Sequence, residues 1–286
     1  MKRLFKNIAI GTFTLCSIIA NAQSDKSLLW EISGNGLQKP SYVFGTIHMI
    51  CSDNYIMTEK IENTLKNVDA YYAEINFADS AAANIMQGAM ISETPLSKRL
   101  TEAKYNELKT LLKEVVNIDI AQVENFTEAG IASMITFKSF PCSDFKMYEI
   151  QFLQAATAQQ KKLGGLETAE QQMELLNKTL GADATIEMLK DLQKNGFKTN
   201  KEMINLYTSQ DIQGLYDFMK TTTYMTEEIY NEMLTKRNTN WVTIMPNIMK
   251  NESVFFAVGA AHLSGDTGVL KLLKDAGYNL KPISIK

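Results

Sequence analysis

Apolar runs of strand length lie near the N-terminal end of the chain and are separated by turn-forming residues. The runs at 28–32 and 42–45 flank a glycine-rich turn at 33–36, and this pattern predicts a β-hairpin. A helix is expected over about 58–67, followed by an aromatic-rich strand over 70–75. The order of strand, helix and strand indicates a parallel crossover connection.

Between about residues 80 and 250 the hydrophobic positions follow a helical period. The apolar residues from Leu108 to Val115, for example, have the i, i+3, i+4, i+7 spacing of a buried helix face. One glycine-bearing interruption at 162–167 predicts a strand that enters a helix, which Thr168 would cap. This region therefore reads as a large helical insertion.

The C-terminal part returns to alternating strands and helices. The continuous apolar run at 254–258 is typical of a strand that is covered on both faces. A helix is expected from about Asp266 until Gly277 ends it, before a last strand at 278–283. Because strands at both chain ends flank the helical region, we predict an α/β fold with a central mixed, largely parallel sheet, flanking helices and a large helical insertion.

The first 22 residues have the pattern of a secretory signal peptide. Three basic residues precede an apolar stretch from about 8 to 20 and a small-residue end, Ala20-Asn21-Ala22. The apolar stretch is shorter than the roughly 20 residues that span a membrane, so no stable membrane insertion is expected after cleavage. We therefore predict an exported protein, periplasmic or secreted, in which residues 23–286 form a single domain.

The net charge and the cysteine content restrict which binding partners and which cellular compartment are expected. Removal of the leader takes away three basic and no acidic residues, so the formal net charge falls from −3 to −6. A net negative chain argues against a nucleic-acid partner. The two remaining cysteines, Cys51 and Cys142, would lie in an oxidising compartment, so either a disulfide or two separate buried thiols is expected.

The two histidines of the chain, His48 and His262, occupy the same local motif, an apolar strand followed by Gly-x-x-His. In α/β sheets the ligand crevice lies outside the carboxyl ends of the strands, so we expect both side chains to converge there. The motif glycine is expected to allow a sharp turn or a close approach to a ligand. A structural, hydrogen-bonded histidine is the alternative at each position, and the duplication of the motif argues against it.

A carboxylate at the end of the third strand completes a candidate metal site. Glu74 with His48 and His262 makes a set of two imidazoles and one carboxylate, which suits Zn, Mn, Co or Fe and leaves positions for water and substrate. Such a metal lowers the pKa of bound water and polarises a carbonyl, as hydrolysis requires. Asp79 and Glu167 are alternatives for the carboxylate role, although Glu167 also suits the first turn of a helix.

Five short segments together resemble the TraB/PrgY/GumN family, which includes the Tiki metalloproteases. In chain order they are GTIH, YYAE, GLET, RNTNW and VGAAH. The resemblance runs from about Leu28 to Pro282 and implies a fold similar to erythromycin-esterase and ChaN-like proteins. It also implies a divalent-metal-dependent peptidase activity, and it favours Mn or Co over Zn or Fe.

The resemblance also implies site residues, matched motif by motif. The catalytic set is His48, Glu74, Arg237, Asn238 and His262, of which His48, Glu74 and His262 would bind the metal. Arg237 or Asn238 is expected to stabilise a developing oxyanion. Lys236 stands where many members carry a glutamate, so no role is carried over to that position.

Three functions remain open at this point. The favoured one is an exported metal-dependent hydrolase, a peptidase, with Glu74 as metal ligand or as general base. The second is a metal-independent esterase-type hydrolase in which Glu74 activates a histidine. The third is a non-catalytic protein that binds a peptide or a haem-like ligand in the same crevice. The substrate is expected to be a peptide or a small molecule, and the oligomeric state is left open.

Overall fold

The computed structural model describes residues 26–285 of the 286-residue chain. The predicted signal peptide, residues 1–22, lies outside the described residues. None of the helices within 26–285 is both long and apolar enough to cross a membrane.

Strands lie near both chain ends, and helices fill most of the sequence between them. The strands are β1 (Leu29–Gly34), β2 (Ser41–Thr46), β3 (Ile50–Cys51), β4 (Ala70–Ile75), β5 (Phe145–Lys146), β6 (Lys162–Glu167), β7 (Val254–Gly259) and β8 (Tyr278–Ile283). The helices are α1 (Glu59–Lys66), α2 (Ser80–Ala89), α3 (Leu96–Arg99), α4 (Glu102–Val116), α5 (Glu128–Ser139), α6 (Tyr148–Ala158), α7 (Ala169–Thr179), α8 (Ala182–Asn195), α9 (Lys198–Thr208), α10 (Ile212–Thr221), α11 (Glu227–Tyr230), α12 (Arg237–Met249) and α13 (Val269–Asp275). A π-helical segment, Asn231–Lys236, joins α11 to α12.

Six strands form one mixed sheet in the order β6-β4-β7-β2-β1-β8. The neighbours β6, β4, β7 and β2 run parallel, whereas β1 is antiparallel to both β2 and β8. The predicted α/β class with a largely parallel sheet is therefore confirmed. The predicted N-terminal hairpin is also confirmed, because Leu29 pairs with Phe44 and Ile32 with Ser41.

The centre of the sheet is packed with aromatic side chains. Residues Val254 to Val258 of β7 are buried, as expected of a strand with neighbours on both sides and covered faces. Phe44 of β2 lies 5.3 Å, centroid to centroid, from Phe152 of α6, and Phe152 lies 5.1 Å from Phe255 of β7. Full burial of such a side chain stabilises the fold by about 1.5–3 kcal/mol, so this cluster anchors α6 to the sheet.

The helical insertion has an apolar core of its own. Leu108 and Leu112 of α4 pack with Ile131 of α5 and Leu189 of α8, and all four are fully buried. The helical period seen in the sequence therefore identified the buried face of α4. The strand predicted at 162–167 is β6, and a capping box at Thr168 starts α7 as expected.

Two features near the insertion were not predicted or were left open. A second, two-stranded sheet pairs β3 with β5, which are too short for a periodic signal. Cys51 and Cys142 form a disulfide, so the alternative of two separate thiols is wrong.

The helix expected from about Asp266 begins at Val269, because a turn in which Gly268 N–H donates to the Gly265 carbonyl comes first.

Candidate active site

Four neighbouring strands bring polar side chains to one edge of the sheet. Listed along strands β6, β4, β7 and β2, the side chains at or just beyond the carboxyl ends are Glu167, Glu74, His262 and His48. Because β2 and β7 are parallel, with Thr46 opposite Gly259, the two Gly-x-x-His motifs lie side by side. Both histidines therefore lie at the same edge of the sheet, as predicted from the carboxyl ends of parallel strands.

Gly45 allows the two motifs to pack against each other. A Cβ atom at this position would lie 2.8 Å from Cδ1 of Leu263 and 3.0 Å from Cα of Ala260. These distances are shorter than ordinary contacts, so a larger residue would push the second motif away. Neither Gly45 nor Gly259 has a positive φ, so the reason for glycine at position 45 is close packing rather than the sharp turn we expected.

Arg237 lies at the centre of a buried ion cluster. Its Nη2 donates to Oε2 of Glu74 at 2.5 Å and to Oε1 of Glu167 at 2.6 Å, and its Nε donates to Oε2 of Glu167 at 3.1 Å. Although burial alone lowers the pKa of Arg237, the two carboxylates outweigh it and raise that pKa. The cation is therefore permanently charged and is held by planar, fork-like hydrogen bonding.

Both carboxylate oxygens of Glu74 are occupied. Oε1 accepts from the backbone N–H of Gly259 at 2.8 Å, and Oε2 accepts from Arg237 and from Nε2 of Gln172 at 3.0 Å. Burial raises the pKa of Glu74, but the charge of Arg237 leads the opposing effects and lowers the pKa overall. Glu74 is thus an anion whose first partners are an arginine and the backbone of the second motif.

His262 is buried and neutral. Its Nδ1 lies 2.6 Å from Oδ1 of Asn238, whose Nδ2 donates to the carbonyl of Thr267 at 2.8 Å. Nη1 of Arg237 donates to Nε2 of the imidazole at 3.1 Å. Because a guanidinium only donates, Nε2 accepts and we assign the ring proton to Nδ1. Burial and the charge of Arg237 lower the pKa of His262 to about 3.

Trp241 packs on both members of this pair. Its ring centroid is 4.5 Å from that of His262, and the guanidinium carbon of Arg237 lies 4.7 Å from the indole centroid. Arg237 and Trp241 are four residues apart on α12, so they share one helix face. The segment RNTNW therefore places Arg237, Asn238 and Trp241 around one imidazole.

His48 has a different partner from the one expected. Its Nδ1 lies 3.0 Å from Oε1 of Glu149, which also accepts from Oγ1 of Thr46 at 2.8 Å. The side chain of His48 is 67% exposed, whereas that of Glu149 is 5% exposed. The charge and hydrogen bond of Glu149 raise the pKa of His48 to about 9. Within residues 26–285, no hydrogen bond joins His48 to Glu74.

The sequence interpretation missed Glu149. The available signal was a single carboxylate on the apolar face of α6, next to Tyr148 and three residues before Phe152. A buried carboxylate in such a place has a partner of opposite charge or several donors. Its partner lies 101 positions away in sequence, at His48, so the pattern alone did not reveal the pairing.

The remaining candidates have local roles. Asp79 caps α2 through a hydrogen bond from Ala81 N–H at 2.9 Å. Glu167, the other alternative carboxylate, lies inside the ion cluster with Arg237. Lys236 is exposed and pairs with Glu232 at 2.6 Å on the surface.

The donors only partly suit a divalent metal. Each histidine has its Nδ1 held by an oxygen, of Glu149 or of Asn238, which is the usual support of a metal-binding imidazole and leaves Nε2 as the ligand atom. Among the described residues, however, no group of three or more His, Cys, Asp or Glu side chains lies in position to hold a metal. The imidazoles therefore fit, whereas Glu74 does not fit as a third ligand while Arg237 binds it.

The fold and the site define a class, a mixed α/β protein whose histidines and carboxylates meet at the ends of its parallel strands. The family model for the TraB/PrgY/gumN family matches residues 28–282, so the chain belongs to that family. The chain is 22% identical to "Metalloprotease TIKI2" of Xenopus tropicalis over 93% of its own length and 61% of that protein. It thus spans about three fifths of this relative. No solved structure gives a significant match.

Proposed function

We propose that this protein is an exported, metal-dependent hydrolase that cleaves peptide bonds at the edge of its sheet. The observation that carries the proposal is the paired support of the two motif histidines. Nδ1 of His48 faces a carboxylate and Nδ1 of His262 faces an amide oxygen, so Nε2 is the remaining ligand atom in both rings. The name of the relative, a metalloprotease, agrees with this chemistry.

Nε2 of His48 and Nε2 of His262 are the atoms that would hold the metal. When bound, a divalent metal supplies an activated water and polarises a substrate carbonyl. Nη1 of Arg237 competes for Nε2 of His262, since the two atoms are 3.1 Å apart. The family resemblance alone makes Mn or Co our preferred metal, with Zn or Fe as alternatives.

The residues around the histidines have separable roles in this proposal. Glu149 and Asn238 orient the two rings through Nδ1. All five N–H groups of Arg237 donate within the protein, so Arg237 holds Glu74, Glu167 and His262 in place, and the oxyanion role expected for it is not supported by this arrangement. Glu74 holds Arg237 and the Gly259 backbone in place, so we assign it a supporting role.

A cleft beside the ion cluster offers room for substrate. It has a volume of about 550 Å³ and is lined at the ends of β4 and β6 by Asn76, Asp79, Gly165, Glu167 and Thr168. A cleft of this size accommodates a few residues of an extended peptide. We propose that a peptide substrate binds here, next to Glu167; neither His48 nor His262 lines this cleft, so the choice of a peptide rests on the name of the metalloprotease relative.

Metal content and peptide cleavage test the proposal together. Residues 23–286 would be purified as wild type, His48→Ala and His262→Ala, and assayed with a peptide library after metal removal and after addition of Mn²⁺ or Co²⁺ alone. We expect activity that depends on the added metal in the wild type and a loss of at least about 100-fold in each variant. Equal activity of wild type and His48→Ala would overturn the assignment.

One observation favours a second candidate, a metal-independent hydrolase. The pair of an exposed imidazole and a buried carboxylate, His48 and Glu149, is the arrangement of a histidine general base. The carboxylate is Glu149 rather than the Glu74 that the sequence interpretation proposed. Ester or peptide hydrolysis that is unchanged by a strong chelator, but abolished by His48→Ala, would support this candidate and exclude the first.

A further inference from the structure

A buried carboxylate outside the sequence motifs holds the exposed histidine. Glu149 lies in the first turn of α6, and 4% of its surface is exposed. Its Oε1 accepts from Oγ1 of Thr46 and from Nδ1 of His48. Within residues 26–285, His48 is the one charged partner of this carboxylate. Because a carboxylate is costly to bury alone, the contact to the ring is part of what keeps Glu149 in place.

The direction of this hydrogen bond decides which ring nitrogen is available. An ionised carboxylate only accepts, so Nδ1 of His48 carries the proton and Nε2 keeps its lone pair in the neutral ring. Among the described residues no hydrogen bond engages Nε2, and 67% of the side chain is exposed. Without an acceptor at Nδ1, the proton of a neutral imidazole would be free to occupy either nitrogen.

Covalent and backbone links fasten the two chain segments that carry this pair. β3 begins two residues after His48, and β5 ends three residues before Glu149. These strands pair with each other, and the Cys51–Cys142 disulfide joins the same two segments across a sequence separation of 91. The ring and the carboxylate therefore lie beside a cross-linked, hydrogen-bonded clamp.

We propose that Glu149 is the positioning residue of His48, and that the β3–β5 pair with its disulfide holds it in that place. Glu149 acts through the imidazole, which it keeps in one tautomer with Nε2 directed away from the protein interior. The role rests on the proposed function in giving His48 a chemical task. The ring geometry itself is measurable without substrate and without metal.

A purely structural acid in the first turn of a helix is the competing explanation. Glu128 offers a matched control, because it stands in the first turn of α5 and its side chain is 18% exposed. It pairs with Arg99 instead of a histidine. A general effect of removing a helix-start carboxylate should appear in both variants, whereas a positioning effect should appear in Glu149 variants alone.

Nitrogen-15 NMR of the histidine rings tests the proposal directly. Residues 23–286 contain two histidines, so a His262→Gln variant assigns both ring systems. On the alkaline side, where His48 is neutral, we expect the wild-type proton on Nδ1. In Glu149→Met, which keeps the side-chain length and removes the acceptor, we expect Nε2–H to become the major form. Glu128→Met, the same substitution at the control position, should leave the ring signals of His48 unchanged.

The experiment separates failure of the positioning role of Glu149 from failure of the proposed function. An Nε2–H tautomer of His48 in the wild type, or an unchanged Nδ1–H tautomer in Glu149→Met, would overturn the positioning role. The wild-type spectrum can overturn the positioning role even if Glu149→Met does not fold. If peptides are cleaved, we expect Glu149→Met to lower kcat by about 10–100-fold with little change in KM. If nothing is cleaved while Nδ1–H is observed, the proposed function fails and the positioning role stands.

Discussion

His48 and His262 follow parallel neighbouring strands in the same motif, yet their surroundings differ in every respect that controls an imidazole. His48 is 67% exposed and faces the carboxylate of Glu149, which raises its pKa. The side chain of His262 is 6% exposed and faces a guanidinium and an amide, and burial with Arg237 lowers its pKa. The motif places the two rings at one sheet edge, and the neighbouring helices give them opposite protonation preferences.

This difference indicates a division of labour within the site. A ring that favours the neutral state offers a lone pair at any ordinary pH, but Arg237 occupies it. A ring that favours protonation is open to solvent and has its free nitrogen unengaged among the described residues. Pairs of titratable groups whose pKa values are pushed apart are typical of sites for acid–base catalysis.

Removal of Arg237 should disrupt the packing and hydrogen bonding around His262 and should lower the stability of the fold more than the other substitutions. Arg237→Met leaves the buried Glu74 and the partly buried Glu167 without a cation, and we expect the free energy of unfolding to fall by about 3–5 kcal/mol. Urea denaturation at pH 7 measures this. Arg99→Met is the control, because the side chain of Arg99 is 20% exposed and should cost less. Equal losses in the two variants would show that the buried cluster is not special.

Removal of the disulfide should affect the His48 side of the site selectively. With Cys51→Ala and Cys142→Ala combined, we expect a loss of about 2–4 kcal/mol in the free energy of unfolding. The ring signals of His48 should shift in NMR spectra, whereas those of His262 should not, since its partners Asn238 and Arg237 lie on α12. Equal shifts of both rings would contradict a clamp that is local to His48.

The loss of folding stability at acid pH should depend on the protonation of His262. Its pKa falls from 6.5 to about 3 on folding, so the unfolded chain binds the proton first as the pH drops. Stability that is present above pH 6.5 is therefore lost on acidification, at up to about 1.4 kcal/mol per pH unit. His262→Gln should show a flatter decline in unfolding free energy between pH 6.5 and 5 than the wild type. Parallel curves would mean that His262 is protonated in the folded state.

The loss of folding stability at alkaline pH should depend on the ionisation of His48. This effect has the opposite sign to that of His262 and is the smallest of those predicted. Its pKa rises to about 9 on folding, so its contribution is complete below pH 6.5 and is lost as the pH rises through 9. Because the ring is largely exposed, screening should keep this contribution below about 1 kcal/mol. His48→Gln should flatten the small decline between pH 7 and 9.5. A steeper decline in the variant would refute the pairing with Glu149.

Several parts of the fold and site were accessible from the sequence because their signals are local. Short apolar or aromatic-rich runs predicted β1, β2, β4, β7 and β8, a glycine-bearing interruption of the helical pattern predicted β6, and the helical period predicted α4. The doubled Gly-x-x-His motif predicted that two distant histidines meet. The β3–β5 pair and the role of Gly45 were not predictable, because short strands and close packing leave no periodic pattern.

The amino-acid pattern was enough to predict the α/β class, the chain order of the six strands of the main sheet, and the location of Glu74, His48 and His262 at strand ends, because burial patterns along a strand or helix are local. Only the tertiary structure decided which groups face each ring. Glu149 reaches His48 across 101 positions, and Arg237 reaches Glu74 across 163. Such partners are chosen by how helices pack on the sheet, and desolvation and charge at that contact then set the chemistry of each imidazole.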